Sequence, residues 1–254
     1  MTAYSPSEMM SAVAARELAN GEVVFVGIGL PNLACNLARA LQAPDLVLIY
    51  ESGAVGAVPE RLPVSIGDPS LVTGSLMVCS MADVFQLFLQ YGKIEVGFLG
   101  GAQVDRFGNI NTTVIGKYQK PKVRLPGSGG AAEIAIHAQR VLIISRLNPR
   151  AFPAQVDFVT SPGQRCKGKS RRELGMPGAG PVKVITDKGI LESDPESGEM
   201  VLTAIYPDVA VEDVKSSVGW PLLARDHLDL IAPPGAEELR LLRDVLDPKK
   251  LYLG

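Results

Sequence analysis

Glu51 is the residue whose chemistry most needs explaining. It follows the apolar run Leu46, Val47, Leu48, Ile49, Tyr50 and precedes Ser52 and Gly53. A carboxylate therefore stands where a buried strand ends and the backbone turns through glycine. Three roles suit it: a structural acceptor at a helix N-terminus, a general base, or a nucleophile that forms a covalent intermediate. Other reactive types offer less. His137 falls within a predicted helix and His227 in the C-terminal region, and neither pairs with a serine or cysteine as an activated nucleophile requires. Cys35 lies inside an apolar helix and reads as core. Two isolated histidines and scattered acids form no metal-ligand set, so no metal is expected. Glu51 is the best catalytic candidate in the chain.

Glycine-bearing turns accompany it. "GIGLP" (27–31), "ESGAVG" (51–56) and "GGAQVDRFGN" (100–109) follow apolar strands, and "PGSGGAAE" (126–133) precedes the last strand of the first half. Glycine at such places permits positive φ and close approach of a ligand to the backbone. A loop that enters a helix also presents N–H groups to a phosphate or an oxyanion. A single "GIGLP" is equally well read as a plain tight turn. Several at neighbouring strand ends describe a lined cleft. None has the spacing of a G-x-G-x-x-G or G-x-x-x-x-G-K-S/T nucleotide motif.

The elements that position these residues alternate along the first 145 residues. In "PSEMMSAVAARELANG" Ser7 is the expected N-cap, Met10, Val13, Ala14 and Leu18 share a face, and Gly21 is the expected stop. "VVFVG" is apolar at every position, as a strand covered on both faces should be. "LPNLACNLARALQ" predicts a helix and "LVLIY" a strand. "MADVFQLFLQYG" (81–92) predicts a helix with Val84, Leu87 and Phe88 as its buried stripe and Gly92 as its end. "IEVGFLG" reads as a strand, "GGAAEIAIHAQ" as a helix, and "VLIIS" as a strand. This alternation predicts an open, mostly parallel α/β sheet with helices on both faces. Ligands in such sheets bind beyond the carboxyl ends of the strands, and Glu51 stands at one.

From about residue 146 the texture changes to long loops rich in proline, glycine and basic residues. "VKVITD", "GILES" and "EMVLTAIYP" predict short antiparallel strands, and "PGAEELRLLRDVLDPKKL" a final amphipathic helix. The expected organisation is one domain over 1–254, with an α/β core at 1–145 and a loop-rich extension with the C-terminal helix at 146–254.

Bulk properties narrow the function classes. The chain has 254 residues, 46% hydrophobic and 20% charged, with a formal net charge of -2. That composition argues for a folded globular protein and gives no global attraction to nucleic acid or an anionic membrane. Its apolar runs fall far short of the roughly 20 residues a membrane-spanning helix needs. The start, "MTAYSPSEMM", lacks the pattern of a signal peptide. Cys35, Cys79 and Cys166 are scattered and odd in number, which points to a reducing, cytoplasmic setting. "RCKGKSRR" (165–172) packs five positive charges into eight residues. It is read as a solvated loop, with a contact to phosphates or to a partner as the alternatives.

The four glycine loops and the glutamate, in this order, resemble the class I (family I) CoA-transferases. "ESGAVG" resembles the catalytic "ENG" or "ESG" turn of that family. "VFVGIGLPNLA", "VGFLGGAQVDRFGNINT" and "LPGSGGAAEIA" resemble its glycine loops, and the likeness continues through "VDFVTSPG" and "GPVKVITD" over nearly the whole chain. The length and the position of "ESG" near residue 50 are those of a B (β) subunit. The resemblance implies a ping-pong transfer of CoA from an acyl-CoA such as succinyl-CoA to a 3-oxo or dicarboxylic acid such as 3-oxoadipate. Coenzyme A is then substrate and covalent intermediate, with no permanently bound cofactor. The resemblance makes Glu51 the nucleophile, places Gly27, Ile28 and Gly29 along the pantetheine, gives Gly129 and Gly130 the oxyanion, and has Gln103 orient substrate. It also implies an A (α) subunit as partner in a heterodimer or heterotetramer. Ser52 in place of asparagine is, by the same resemblance, common in the glutaconate and oxoadipate branch and compatible with transfer. Two alternatives stand beside this reading: an acyl-CoA hydrolase or decarboxylase of the same fold, and a non-catalytic partner subunit.

Overall fold

A computed structural model describes residues 3–253. The segment up to Phe98 forms one compact unit with the segment from Pro233 onward, and Leu99–Ala232 forms a second.

The first unit opens with helix α1 (Pro6–Arg16). Its N-cap is Ser5, not Ser7: the Ser5 hydroxyl accepts from Glu8 N–H at 3.2 Å, and Glu8 Oε2 accepts from Ser5 N–H at 2.7 Å. This reciprocal box is what S-x-x-E with proline at the first helical position favours, and it leaves Ser7 buried within the first turn. The helix ends at Arg16 with Glu17 as its C-cap, short of Gly21. Strand β1 (Val23–Phe25) leads into α2 (Leu30–Leu41), which is followed by β2 (Val47–Ile49). Two short strands come next, β3 (Ala54–Val55) and β4 (Met77–Val78). Helix α3 (Met81–Asp83) continues as wide π-type turns over Val84–Leu89, and β5 (Val96–Leu99) ends the run.

These strands are ordered β5-β1-β2-β3-β4. β1 runs parallel to both neighbours, with Phe25 opposite Ile49 on one side and Gly97 on the other. β3 and β4 extend the sheet antiparallel. Val24, Leu48, Ile49 and Val96 are fully buried, as expected for strands covered on both faces. The expected stripe on the 81–92 helix is shifted. Val84 and Leu89 are buried while Leu87 is 56% exposed, because π-turns bring residues five apart onto one face. The C-terminal helix, Ala236–Arg240 running into π-type turns at Leu241–Leu246, belongs to this unit. Arg16 pairs with Glu238 at 2.6 Å, and Arg243 holds Glu8 with two hydrogen bonds.

The second unit contains two-stranded pairs and a further run of five hydrogen-bonded strands. β6 (Gln103–Val104) pairs with β7 (Ile110–Asn111), and β8 (Val114–Lys117) with β9 (Lys120–Arg124). Helix α4 (Ala131–His137) precedes β10 (Arg140–Ile144). A small hairpin joins β11 (Arg165–Cys166) to β12 (Lys169–Ser170). β13 (Pro181–Ile185) runs parallel to β10; β14 (Gly189–Ser193) and β15 (Met200–Ile205) follow antiparallel, as the sequence predicts. After helix α5 (Val211–Lys215), β16 (Ala224–Leu230) returns parallel to β15. No helix among the described residues is long and apolar enough to cross a membrane.

Candidate functional site

Glu51 sits at the tip of a turn whose backbone is fixed on both sides. Tyr50 N–H donates to Ala54 C=O and Gly53 N–H donates to Tyr50 C=O, each at 2.9 Å. Glu51 and Ser52 are thus the two central residues of a tight connection from β2 into β3. Gly53 adopts φ +107°, and a Cβ there would lie 1.9 Å from the Cys79 carbonyl oxygen. Only glycine allows this close approach. The Glu51 side chain is half-buried, and no hydrogen-bond or ion-pair partner holds its carboxylate among the described residues. A hairpin follows it, not a helix N-terminus, so the structural role open to it from sequence has no acceptor geometry here.

Tyr50, one residue before, is fully buried. Its hydroxyl accepts from Asn32 Nδ2 at 2.7 Å. Burial pushes the phenol pKa well up, so the hydroxyl stays protonated.

Gly27, Ile28 and Gly29 lie at the neighbouring strand end. Val26 N–H donates to Ile49 C=O at 3.0 Å, which carries the parallel pairing one residue beyond β1. The chain then turns into α2 through Gly29, at φ +89° and ψ -151°, a region open to glycine. The amides of Gly27 and Ile28 have no acceptor among the described residues, and the Ile28 side chain is exposed. Register thus brings this loop and Glu51 together at the carboxyl ends of adjacent parallel strands, where α/β sheets place their ligands.

The remaining candidates lie in the second unit. Gly127 is tied to Thr112 by two hydrogen bonds, N–H to carbonyl at 2.8 Å and hydroxyl to Gly127 C=O at 2.7 Å. Ser128 accepts from Ala131 N–H through its carbonyl and from Ala132 N–H through its hydroxyl. Between these anchors the amides of Gly129 and Gly130 find no acceptor among the described residues. Gly129 has φ +48° and Gly130 φ -80°, and such a change of hand aims successive N–H groups toward one anion. Gln103 is buried. Its carbonyl accepts from Asn111 Nδ2 at 2.7 Å and Asp157 N–H at 3.0 Å, and its NH2 donates to Asp157 at 3.3 Å. Contact with a substrate would have to use its second N–H.

The basic run divides. Arg171 is buried, and its guanidinium donates to five backbone carbonyls: Gly178 and Ala135 at 2.8 Å, Gly163 at 3.1 Å, Ile136 at 3.2 Å and Pro162 at 3.4 Å. Burial lowers its pKa to about 10, leaving it charged at neutral pH. Ala135 and Ile136 belong to α4, whose start carries Gly130, so Arg171 anchors the far end of that helix. Gly180 makes room for it, since a Cβ there would lie 2.5 Å from the guanidinium. Arg165 and Lys167 face an open cavity of about 810 Å³ with Arg106, Phe107, Asp157 and Glu199. Arg106 stacks on Phe107 and pairs with Glu199 at 3.5 Å. Sequence pattern gives no cue to the Arg171 site, whose acceptors come from three separate segments, two within nine residues of it and one in α4. Asn32 announces itself only as a polar residue on an apolar helix face.

The model of a family described as "Coenzyme A transferase" matches residues 7–217. The B subunit of the 3-oxoadipate CoA-transferase of Pseudomonas knackmussii is 52% identical, covering 96% of this chain and 94% of that protein. The B subunit of the glutaconate CoA-transferase of Acidaminococcus fermentans is 37% identical, covering 99% and 96%. The crystal structure of glutaconate coenzyme A-transferase from the same organism superposes with a TM-score of 0.91 at 35% identity, covering 100% of this chain and 98% of that one.

Proposed function

From the premise that this chain belongs to the coenzyme A transferase family, we propose that it is the B subunit of an enzyme moving CoA from an acyl-CoA such as succinyl-CoA to 3-oxoadipate or a similar acid, with Glu51 as nucleophile. One observation carries the nucleophile assignment: a half-buried carboxylate on a turn rigid in its backbone, with no protein partner among the described residues. A structural carboxylate would have partners. The similarity to a 3-oxoadipate enzyme over nearly the full length supports the choice of acceptor.

The steps balance without a net proton. A Glu51 carboxylate oxygen attacks the thioester carbonyl of the donor; the C–S bond breaks, giving a mixed anhydride and CoA thiolate. The thiolate attacks the glutamyl carbonyl and releases the donor acid as carboxylate, leaving CoA as a thioester on Glu51. The acceptor carboxylate attacks that thioester to form a new anhydride, and the thiolate then takes the acceptor's acyl carbon and restores Glu51. A carboxylate is a weak nucleophile in water, so the reaction depends on orientation and on fixed donors for each tetrahedral oxyanion. The open amides of Gly129 and Gly130 suit the oxyanion, and those of Gly27 and Ile28 suit the amide carbonyls of a pantetheine arm. Gln103 completes the assignment as a substrate-orienting group. A heteromer with an A-type subunit is part of the reading, supported by relatives that are themselves named as B subunits. So is a cytoplasmic setting, supported by three free cysteines.

The assembled enzyme, given acyl-CoA without acceptor, should carry CoA on the peptide containing "IYESGAVG", detected by mass spectrometry. Borohydride should inactivate it in that state. Active enzyme that accumulates no such adduct would sink the nucleophile assignment.

A further inference from the structure

Asn32 is fully buried in the first turn of α2, on a helix whose other buried residues are Leu33, Ala34, Cys35, Leu37 and Ala38. A primary amide in such surroundings is costly unless its hydrogen bonds are met. They are met in one direction by Asn36, whose Nδ2 donates to Asn32 Oδ1 at 3.0 Å and to its backbone carbonyl at 2.9 Å. In the other direction Asn32 Nδ2 reaches the Tyr50 hydroxyl at 2.7 Å. Tyr50 supplies the carbonyl and the amide that close the turn around Glu51. Helix α2, capped at Gly29, is therefore bonded through two side chains to the residue preceding the candidate nucleophile.

We infer that Asn32 is a positioning residue for Glu51: its bond to Tyr50 locks the turn that aims the carboxylate to the helix carrying the Gly27–Gly29 loop. The inference rests on the reading of Glu51 as nucleophile. Replacing both members of a buried hydrogen bond by apolar groups of similar shape can be nearly neutral for stability, so the effect on rate can be separated from an effect on folding. The pair differs from a leucine–phenylalanine contact in direction. Dispersion contacts tolerate small rotations of the Tyr50 ring, whereas a hydrogen bond of 2.7 Å fixes where its oxygen lies. An orientation error of that kind falls on the rate of attack more than on binding of acyl-CoA.

The test uses Asn32→Leu, the near-isosteric Tyr50→Phe, and the double variant, each assembled with its partner subunit. Expected are a kcat at least about tenfold lower in each, a KM for acyl-CoA within about threefold of wild type, and a melting temperature in the double variant close to wild type. Tyr50→Phe should add little to Asn32→Leu, since the Asn32–Tyr50 bond is already lost in the latter, and Asn36, which loses Asn32 Oδ1 there, keeps its bond to the Asn32 backbone carbonyl. The rate at which CoA appears on the Glu51 peptide in a single turnover should fall with kcat. A double variant with wild-type kcat would overturn the inference, as would rate losses that multiply. Exchange of the Gly53 amide, which bonds Tyr50, provides a readout independent of catalysis and should quicken at least about tenfold in Asn32→Leu and Tyr50→Phe. Unchanged exchange overturns the positioning role. Absence of a CoA adduct in the wild type overturns the nucleophile reading instead.

Discussion

The Gly53 carbonyl accepts from the Cys79 amide at 3.0 Å, and the same glycine faces the Cys79 carbonyl so closely that no side chain fits between them. The turn that presents Glu51 is thus clamped from below by the chain running into the 81–89 helix. Gly53→Ala should break this clamp. It places a Cβ against a backbone oxygen at φ +107°, where L-residues are strained. We expect a loss of more than about 1 kcal/mol in stability and a fall in transfer rate of about tenfold or more. Thermal unfolding and steady-state assay measure the two. A variant with wild-type melting and rate would show that the turn is not held here.

Gly129→Val separates turn geometry from catalysis in the second unit. The position is exposed, so burial is little affected, while a β-branched residue at φ +48° must rotate the local peptide planes. If the Gly129 and Gly130 amides meet an oxyanion, kcat should drop on the order of 10²–10³, the usual worth of one such donor. Melting should change by only a few degrees. Normal turnover with a lowered melting point would mean the glycines serve only the turn.

Acid should weaken the first unit through Asp68. The bidentate Arg61 guanidinium, at 2.8 and 2.9 Å, and the N–H groups of Val64 and Ser70 hold its pKa far below the usual carboxylate range. Arg243 does the same, more mildly, for Glu8. A carboxylate depressed in the folded state stabilises above its unfolded pKa of about 3.9 and loses that contribution as pH falls through the lower folded value. Melting temperature should therefore decline from roughly pH 5 downward. Asp68→Asn should flatten that decline while lowering stability at neutral pH. An unchanged slope in the variant would remove Asp68 from the account.

The chain alone should not transfer CoA. In this chain the β4 edge exposes Leu76, Met77 and Val78 at 77%, 41% and 61%, an apolar edge of the kind proteins cover. Arg106, a cation near the glycine loops in sequence, is paired with Glu199 and is poorly placed to hold a second carboxylate. Purified by itself the protein should be inactive and should self-associate. Co-expressed with an A-type subunit it should give a heteromer with activity. Full activity at the mass of this chain alone would overturn the proposal that it works as one subunit of a heteromer.

Much of this is readable in the residues. "VVFV" and "LVLI" announce strands because both faces are buried and every position is apolar. Glu51 is visible because a charge interrupts such a pattern at its end. Where the residues mislead, the causes are physical. Ser5 outcompetes Ser7 because Glu8 stands three residues after Ser5, able to answer it. Leu87 looks buried only under an α-helical period, and the backbone there winds more widely. β16, "ARDHLDL", escapes notice because an edge strand with mostly exposed side chains shows no apolar alternation, its main-chain pairing leaving no mark in the sequence. Arg171 is indistinguishable from its basic neighbours in sequence, since five backbone carbonyls select it and a backbone carbonyl has no sequence signature.

The joining of both chain ends in the first unit has a consequence for biosynthesis. Glu8 and Arg16 find their partners at Arg243 and Glu238, 235 and 222 positions away. A nascent chain emerging from the ribosome cannot close this unit until all of Leu99–Ala232 has been made. At about 5–20 residues per second that delay is on the order of ten seconds. For that interval α1 and α2 lack the C-terminal helix that packs on α2 and pairs with Glu8 and Arg16 of the first helix. The intervening unit is continuous in sequence and can fold first. The unit that carries Glu51 is thereby the one whose sequence is completed last, although Glu51 itself is translated early.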